Sequence, residues 1–437
     1  MPIELVTLLM FGGLVVLLVF GLPIAFATGG IGVLTLFLLW GSDSFYLIFS
    51  RVYGVVSSYP LVAIPLFIWM GITLERSGIA SALFEAIHQW TGFIKGGLAV
   101  ATVLVCAAMA AMTGIVGAAV VTMGIIALPA MLERKYDKSI ALGSCAAGGS
   151  LGVLIPPSIP LIVYAVAAGV SIGKLFMGGF AAGLILVIIF SLYILIRSRL
   201  QPDLAPPLPK EELLPLRERV VLLRSVILPV LLIVAVLGSI FAGIATPTEA
   251  AGVGAFGALI CAAIRRSVNW QMFKQVTYDS AKLTCMVLWV IFGASLFVAV
   301  FTGAGGGTLV EHVLLGVIQN PQLILLTMMA VLFILGCFLD TLAIILLTAP
   351  IFSPIIVTLG FNPVWFGIIF NVNLQMAYIT PPFGYSLFYL KGVAPKGITI
   401  VDIYRSIWPF VILQALGLVV CILFPKSVLW LPNLMIR

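Results

Sequence analysis

The stretch GGSLGVLIPPSIPLIVYA, residues 148–165, interrupts a long apolar tract with two adjacent prolines. A second stretch, NVNLQMAYITPPFGYSLFY at 371–389, does the same in the other half of the chain. Pro156 and Pro381 are 225 residues apart, and Tyr164 and Tyr389 keep the same spacing. Two Pro-Pro pairs in register indicate that the chain is built from two halves of similar design.

Each Pro-Pro pair must break a helix, because proline lacks an N–H and clashes with the preceding turn. Non-helical backbone at membrane depth is tolerated only where it is buried in protein or lines a wet cavity. Carbonyls freed at such a break can coordinate a cation, and the next half-helix presents an N-terminus that favours an anion. Matched broken helices therefore point to the midplane site of a secondary transporter. The alternative is a pair of proline kinks at loop boundaries that bind no ligand.

The composition places the chain in a membrane. Of its 437 residues, 62% are hydrophobic and 8% are charged, whereas a soluble domain carries roughly 25% charged residues. This excludes a soluble enzyme, a nucleic-acid binder and a disordered protein, and it makes the lipid bilayer the first partner. Six scattered cysteines without a Cys-x-x-Cys pair, and two distant histidines, predict no transition-metal site.

Apolar tracts without Asp, Glu, Lys or Arg predict roughly ten to twelve crossings of about 20 residues each. A polar, proline-rich segment at 197–224 separates the halves and favours an extended linker. A second basic segment spans 265–282. Since the 225–264 interval between them suits two crossings, both segments belong on one side, which the excess of Lys and Arg assigns to the cytoplasm.

The tract TVLVCAAMAAMTGIVGAAVVTMGIIALPAM, residues 102–131, is apolar but interrupted near Gly114. A helical hairpin that enters the membrane and returns fits this pattern, and the segment 327–354 is its equivalent in the second half. The sequence thus predicts an all-α integral membrane protein of two inverted repeats, each with a re-entrant hairpin and a broken helix.

Asp340 is the only formal charge between Glu311 and Lys391. A carboxylate at membrane depth usually faces a cavity, a partner or an ion, so we interpret it as a sodium or proton ligand. It can also cap the returning helix of the second hairpin. For Glu249 we favour a structural role over a functional one. Thr246, Pro247 and Glu249 form a capping-box pattern, which explains this carboxylate as a helix start signal.

Four motifs resemble a known family. They are the first Pro-Pro stretch (148–165), ATPTEAAGVGA (245–255), LDTLAIILLTAPIFSPI (339–355) and VNLQMAYITPPFG (372–384). In this order and over both halves, they resemble the large membrane subunit of the tripartite ATP-independent periplasmic (TRAP) transporters, the DctM-type M component.

The resemblance implies a bacterial inner-membrane permease that imports a small organic anion, such as a carboxylate, sugar acid or sulfonate. It implies sodium coupling, an elevator mechanism, no catalysis and no organic cofactor. The implied partners are a small four-helix membrane subunit and a periplasmic substrate-binding protein.

The resemblance also implies a division of the chain. The scaffold would comprise 1–92 and 225–282, with arm helices around 43–60 and 266–281, and the C-terminal helix and tail 406–437 would follow. The transport repeats would be 93–196, with hairpin 98–132 and broken helix 139–170, and 283–405, with hairpin 322–354 and broken helix 364–391.

Carried over from the family, the first sodium site would use Gly114, Gly149, Ser150 and Pro156. A second sodium site would use Asp340, Asn373 and Thr380. The substrate would lie near Ser150, Ser158, Asn373 and Thr380.

One departure concerns the first hairpin tip. Many family members carry a Ser-Gly-Ser-Ser-like tip, whereas this chain has Thr113-Gly114-Ile115-Val116. Two hydroxyl side chains are absent, so either backbone oxygens hold the first cation or that site differs here.

Two other functions compete with this reading. A stand-alone divalent-anion symporter with sodium coupling would show the same repeat. An intramembrane enzyme has less support, because only Asp340 is well placed for an aspartyl protease, and no nucleophile turn surrounds Ser295.

Overall fold

A computed structural model describes residues 1–317 and 320–435, and every regular element within these ranges is helical. The N-terminal half holds α1 to α11, which are Ile3–Thr7, Gly13–Val19, Ile24–Trp40, Tyr46–Val56, Ala63–Arg76, Ile79–Thr91, Gly97–Thr113, Val116–Glu133, Lys138–Ser150, Ile159–Ala168 and Ile172–Leu200. The C-terminal half holds α12 to α21, which are Leu216–Phe241, Pro247–Ile264, Trp270–Gly303, Gly306–Val317, Pro321–Gly336, Thr341–Thr358, Pro363–Tyr378, Tyr385–Val393, Ile400–Leu423 and Lys426–Asn433.

Six helices of the described chain are long and apolar enough to cross a membrane, or up to eight if each of two bent pairs is one span. This confirms an all-helical, multi-pass membrane protein. The count is lower than the roughly ten to twelve crossings expected from the apolar tracts. The difference arises because several tracts are divided into shorter apolar helices, such as Gly97–Thr113, Ile159–Ala168 and Pro321–Gly336.

Both helix breaks are present, and helices occupy the two segments expected to form the hairpins. The first hairpin is α7–α8, and the second is α16–α17. The first broken helix is α9–α10, interrupted around Pro156, and the second is α18–α19, interrupted around Pro381. Proline causes these interruptions, since it cannot donate to the helical ladder. The Pro156–Pro157 and Pro381–Pro382 peptide bonds are both cis.

The helix bounds repeat with the spacing seen in the sequence. Helix α8 spans Val116–Glu133 and α17 spans Thr341–Thr358, so both ends are displaced by 225 residues. Helices α9 and α18 begin at Lys138 and Pro363, again 225 apart, and each is capped by the preceding side chain. This agreement supports the predicted repeat.

The two halves interlock around their broken helices. Each second half-helix packs on the hairpin of the other half, α10 on α17 and α19 on α8. Ser353 Oγ of α17 lies 3.5 Å from the Ala168 carbonyl oxygen at the end of α10. On the opposite pair, a Cβ added to Gly124 of α8 would lie 2.6 Å from the Val393 side chain of α19. The hairpins and broken helices therefore form one packed body.

Helices α3 and α14 pack closely beside this body because small residues face each other. A Cβ added to Gly293 would lie 2.3 Å from the Ala25 carbonyl oxygen. One added to Gly32 would lie 3.2 Å from the Phe297 nitrogen. Without side chains at these positions the two backbones approach each other, as membrane helices with small interface residues do.

The segment between the halves is shorter and more fixed than the expected linker at 197–224. Helix α11 continues to Leu200, where Arg197 and Arg199 in its last turn favourably meet the negative end of the helix dipole. The irregular chain that follows donates from Leu208 N to the Gly92 carbonyl at 2.8 Å, and its Glu212 pairs with Arg134 at 2.7 Å. The segment thus binds to residues at the ends of α6 and α8 and holds these helix ends together.

One helix crosses an expected border. The expected division ends the second scaffold segment at 282 and begins the second transport repeat at 283. In the structure, α14 runs unbroken across this border, from Trp270 to Gly303. No proline or glycine pair stands at 282/283 to interrupt the hydrogen-bond ladder.

Candidate functional site

A cavity of about 870 Å³ lies where both hairpin tips meet helices α3, α5 and α14. Its wall also includes residues on either side of both helix breaks, Val153 and Ile159 in the first half and Tyr378 and Tyr385 in the second. Ligand pockets of this kind measure about 300–1,000 Å³. The elements that the sequence singled out therefore surround one space.

The first tip fits tightly onto the first break. Gly114 adopts φ +61°, and a Cβ there would lie 2.0 Å from the Pro157 carbonyl oxygen. A Cβ on Gly152 would lie 3.2 Å from the Val116 nitrogen. Glycine serves both demands at position 114, since it accepts a left-handed backbone and lets the chain approach another backbone.

The residues that follow Gly114 line the cavity with hydrocarbon. Ile115 precedes the first turn of α8, and its side chain makes no capping hydrogen bond. Val116 is buried, and both residues are part of the cavity wall. The Ser-rich tip expected from the resemblance is thus replaced by an apolar wall, so the side chains of these two residues offer a cation no oxygen.

The second tip presents the carboxylate of Asp340 to the cavity. One of its oxygens, Oδ2, accepts a hydrogen bond from Leu342 N at 3.0 Å and so caps α17. The same residue is half-buried and lines the cavity, so capping and exposure to a ligand coexist. In the described part of the chain, no three His, Cys, Asp or Glu side chains come together as a metal cluster.

The second tip also contacts the second break. The rings of Phe338 and Phe383 lie 6.0 Å apart with an edge-on geometry. Each hairpin tip therefore contacts the break of its own half.

Three tyrosines complete the wall beside Asp340. Tyr378 ends α18, and Tyr385 and Tyr389 lie one turn apart on α19. The rings of Tyr378 and Tyr385 stack across the break with centroids 5.4 Å apart. All three tyrosines line the same cavity as Asp340. Sequence reasoning missed them, although three tyrosines around Pro381-Pro382 were a visible signal.

Of the residues predicted to bind sodium or substrate, only Gly114 and Asp340 are in the described cavity wall. The other predicted residues are buried behind it, namely Gly149, Ser150, Pro156, Ser158, Asn373 and Thr380. A Cβ on Gly149 would lie 2.2 Å from the Val120 side chain, so this glycine closes the contact between α9 and α8.

The buried polar residues already have protein partners. Ser158 Oγ donates to the Val153 carbonyl at 2.5 Å, and it also accepts from Leu161 N at the start of α10. Asn373 Nδ2 donates to the Met329 carbonyl of the second hairpin at 2.7 Å. Thr380 Oγ1 donates to the carbonyl of residue 376 in the preceding turn. These bonds hold breaks and hairpins together.

Gln375 occupies the centre of the packed body without any solvent exposure. Its Nε2 donates to Ser150 Oγ at 3.1 Å and lies 3.5 Å from Gln414 Oε1, which joins α18 to α9 and α20. Its own Oε1 has no hydrogen-bond partner in the described structure. The amide nitrogen thus joins three helices, while the buried oxygen without a partner carries a desolvation cost.

Paired hairpins and broken helices around a cavity, within an all-helical multi-pass protein, define a membrane transport protein. The fold agrees with a solved transporter. The Alcanivorax borkumensis YdaH transporter superposes with a TM-score of 0.65 over 93% of this chain and 96% of that one, at 15% sequence identity.

The family model for the tripartite ATP-independent periplasmic transporter, DctM component, matches residues 11–427. The C4-dicarboxylate TRAP transporter large permease protein DctM of Pseudomonas aeruginosa is 36% identical over 405 residues, which cover 92% of each chain. The isethionate TRAP transporter permease protein DctMQ of Oleidesulfovibrio alaskensis is 34% identical over 88% of this chain and 60% of its own. The chain belongs to the DctM component family of TRAP transporters, whose members lie in the bacterial inner membrane.

Proposed function

We propose that this chain is the large permease subunit of a tripartite secondary transporter that imports a small organic anion. A sodium gradient drives uptake, and the interlocked hairpins and broken helices move as one body against the scaffold in an elevator mechanism. The observation that carries the proposal is the single cavity shared by both hairpin tips, both breaks and the scaffold helices α3, α5 and α14.

The position of Asp340 supports the proposal that sodium is the coupling ion. Its carboxylate is the one acidic side chain of the described cavity wall, and a carboxylate at membrane depth needs a counter-ion or a proton. The neighbouring phenols and the backbone around the tip supply further oxygens, which suit a hard monovalent cation. We assign this sodium ion to Asp340, with Asn373 and Thr380 on the adjoining break.

A first sodium ion is proposed at the Gly114 tip, where the backbone packs against the Pro157 carbonyl oxygen. Gly149, Ser150 and Pro156 lie on the broken helix behind it. Since Ile115 and Val116 offer no side-chain oxygen, backbone carbonyls would supply the ligands of this ion.

Motion of one body is supported by the way in which the halves interlock. Helix α10 packs on α17 and α19 on α8, which favours motion of each hairpin together with the broken helix of the other half. Across the cavity, the facing surfaces of α3, α5 and α14 are mostly apolar, which offers little resistance to sliding. The substrate would travel between these surfaces, beside the breaks that carry Ser150, Ser158, Asn373 and Thr380.

The names of the relatives support an anion as cargo, since they specify C4-dicarboxylate and isethionate. The family name, which specifies a tripartite periplasmic transporter, supports a periplasmic binding protein and a small membrane subunit, and the DctMQ relative is longer than this chain. We propose both partners for this chain, and no enzymatic activity.

The test is uptake into proteoliposomes that hold this chain together with its small membrane subunit and its binding protein. We expect uptake of a labelled organic anion that requires an inward sodium gradient and the binding protein, and that does not require ATP. Full uptake without the binding protein would instead identify a stand-alone symporter. Uptake at the same rate with and without a sodium gradient would refute the proposed coupling to sodium.

A further inference from the structure

A second cavity, of about 290 Å³, lies between α6, α12 and α13 and shares no described residue with the cavity at the hairpin tips. Two of the residues that line it are arginines, Arg224 of α12 and Arg265 at the end of α13. The other described ones are apolar, namely Ile79, Leu228, Pro229, Cys261 and Ile264. No acidic side chain lines it in the described part of the chain. The second cavity thus combines two positive charges with a hydrocarbon wall, and the proposed transport cycle uses neither.

The path of the chain places this second cavity at one surface of the membrane. Helix α13 is long and apolar enough to cross the membrane over Pro247–Ile264, and Arg265 follows its last residue. Arg224 precedes Val226–Phe241, the apolar part of α12. Since only residues 242–246 join these two packed helices, α12 and α13 run antiparallel, and both arginines lie at the same side. The excess of Lys and Arg predicts that this side is the cytoplasm.

A bend in α12 shapes the wall of the second cavity. The segments Leu216–Arg224 and Val226–Phe241 meet at an angle of 45°. Pro229 lies one turn beyond the bend, and a proline cannot donate to the carbonyl four residues before it and clashes with that carbonyl, which kinks a helix. Arg224 ends the first segment, and Leu228 and Pro229 belong to the second, so the charged and the apolar parts of this wall meet at the bend.

The two arginines are held in different ways. Arg265 is half-buried, and its Nε donates to the Ser77 carbonyl oxygen at 3.2 Å, in the turn between α5 and α6. Arg224 is exposed, and no ion pair of the described chain includes it. A guanidinium group binds phosphate well because its planar fork can donate two parallel hydrogen bonds. A phosphate at the mouth of the second cavity would therefore meet one guanidinium that is already positioned and one that can adapt.

We infer that the second cavity binds an anionic phospholipid. Its phosphate would lie between Arg224 and Arg265, and the start of one acyl chain would lie along the apolar wall. Basic pockets between membrane helices at the cytoplasmic surface bind acidic lipid headgroups, and the adjacent bilayer supplies this ligand. Because α12 packs on both α6 and α13, a lipid bound between the three helices would stabilise this part of the scaffold.

The test is a binding titration of the purified full-length chain in detergent, followed by native mass spectrometry. The probes are phosphatidylglycerol, phosphatidylcholine with the same acyl chains, and glycerol 3-phosphate, which carries a phosphate without hydrocarbon. We expect saturable binding of phosphatidylglycerol that is about fivefold or more tighter than that of phosphatidylcholine. Equal binding of the two lipids would overturn the inference. Glycerol 3-phosphate that binds as tightly as phosphatidylglycerol would overturn it too, since the ligand would then be a soluble phosphate.

A matched pair of variants locates the bound lipid. Arg224→Gln should weaken the binding of phosphatidylglycerol about fivefold, because it removes one of the two positive charges. Arg217→Gln removes the same charge from an exposed residue two turns earlier in α12, outside the described wall of the second cavity, and should leave the affinity nearly unchanged. An unaltered affinity in Arg224→Gln contradicts the proposed site. Equal weakening in both variants contradicts it as well, because it would show attraction to the basic surface as a whole.

The same titration on the complex of the large and small membrane subunits separates a lipid from a protein ligand. Phosphatidylglycerol should bind to the complex as it does to the chain alone. Loss of this binding in the complex would show that the small subunit covers the second cavity, and the inference would fail.

Discussion

Ser150 and Gln375 are hydrogen-bonded across the two halves of the chain, with Gln375 Nε2 3.1 Å from Ser150 Oγ, and they are 225 residues apart. That spacing is the repeat offset itself, so the two residues occupy equivalent positions. Equivalent residues of a two-fold arrangement contact each other only near its axis. The bond therefore supports an axis that passes between the two broken helices.

The Ser150–Gln375 bond should couple the stabilities of the two halves. In a double-mutant cycle with Ser150→Ala and Gln375→Met, we expect an interaction free energy of about 0.5–1.5 kcal/mol. Either substitution alone already breaks the hydrogen bond, so the double variant does not lose its contribution a second time. The measurement is denaturant unfolding of the purified chain. Ser144→Ala is the matched control, because Ser144 is equally buried on α9 but donates to the Ala141 carbonyl. Its coupling to Gln375→Met should be near zero, and a coupling as large as that of Ser150 would contradict the assignment.

Gly114→Ala should abolish most uptake. The left-handed φ of +61° costs an L-residue about 1–2 kcal/mol, and the new Cβ would also meet the Pro157 carbonyl oxygen at 2.0 Å. The tip must therefore move away from the break. Gly169→Ala carries a similar φ of +68° but has nothing within 4 Å of its Cβ, so it separates backbone strain from collision. We expect near-normal uptake for Gly169→Ala, and equal losses in both variants would mean that strain alone explains the effect.

Asp340→Asn should reduce sodium-dependent uptake by tenfold or more while the protein still folds. The asparagine can accept the bond from Leu342 N, so the cap on α17 survives and only the charge is removed. Uptake is measured over a series of sodium concentrations. The control is Asp137→Asn, because Asp137 caps α9 by accepting a hydrogen bond from Ser139 N at 3.0 Å and is not part of the described cavity wall. This variant should leave the sodium dependence of uptake intact. If Asp340→Asn behaves like that control, Asp340 is not an ion ligand.

Gly293→Ala should destabilise the scaffold by about 1–3 kcal/mol, because its Cβ would lie 2.3 Å from the Ala25 carbonyl oxygen and force α3 away from α14. Gly30→Ala on α3 meets nothing within 4 Å and should be neutral or stabilising by up to about 1 kcal/mol. Thermal unfolding in detergent compares the two. A stable Gly293→Ala protein would show that this helix contact is looser than described.

Thr246→Ala should cost about 1 kcal/mol, since it removes one side of a capping box in which Glu249 N donates to Thr246 Oγ1 and Thr246 N donates to Glu249 Oε2. Thr277→Ala is the control, because the exposed Thr277 hydroxyl only donates to the Phe273 carbonyl in the preceding turn of α14. Unfolding free energies should differ between the two variants. The uptake rate of the folded fraction should be normal in both.

The helix breaks at both Pro-Pro pairs and the caps at Thr246 and Asp340 stand where local signals in the sequence predicted them. Pro156 and Pro381 end their helices because proline removes a donor, and the Thr246–Glu249 capping box forms as its pattern indicates. Asp340 was predicted to cap a helix or to face a cavity, and it does both. These features depend on a few residues that are neighbours in the sequence, so a short stretch of the chain is enough to predict them.

Only the tertiary structure decided which of these residues share a surface. It placed Gly114, Asp340 and three tyrosines in one cavity wall, buried Ser150 and Asn373 behind that wall, and extended α14 across the expected border at 282/283. The physical reason is that a cavity is made of segments more than a hundred residues apart, brought together by packing of one half against the other. Whether a polar side chain faces a ligand or a neighbouring carbonyl depends on that packing, and no local pattern records it.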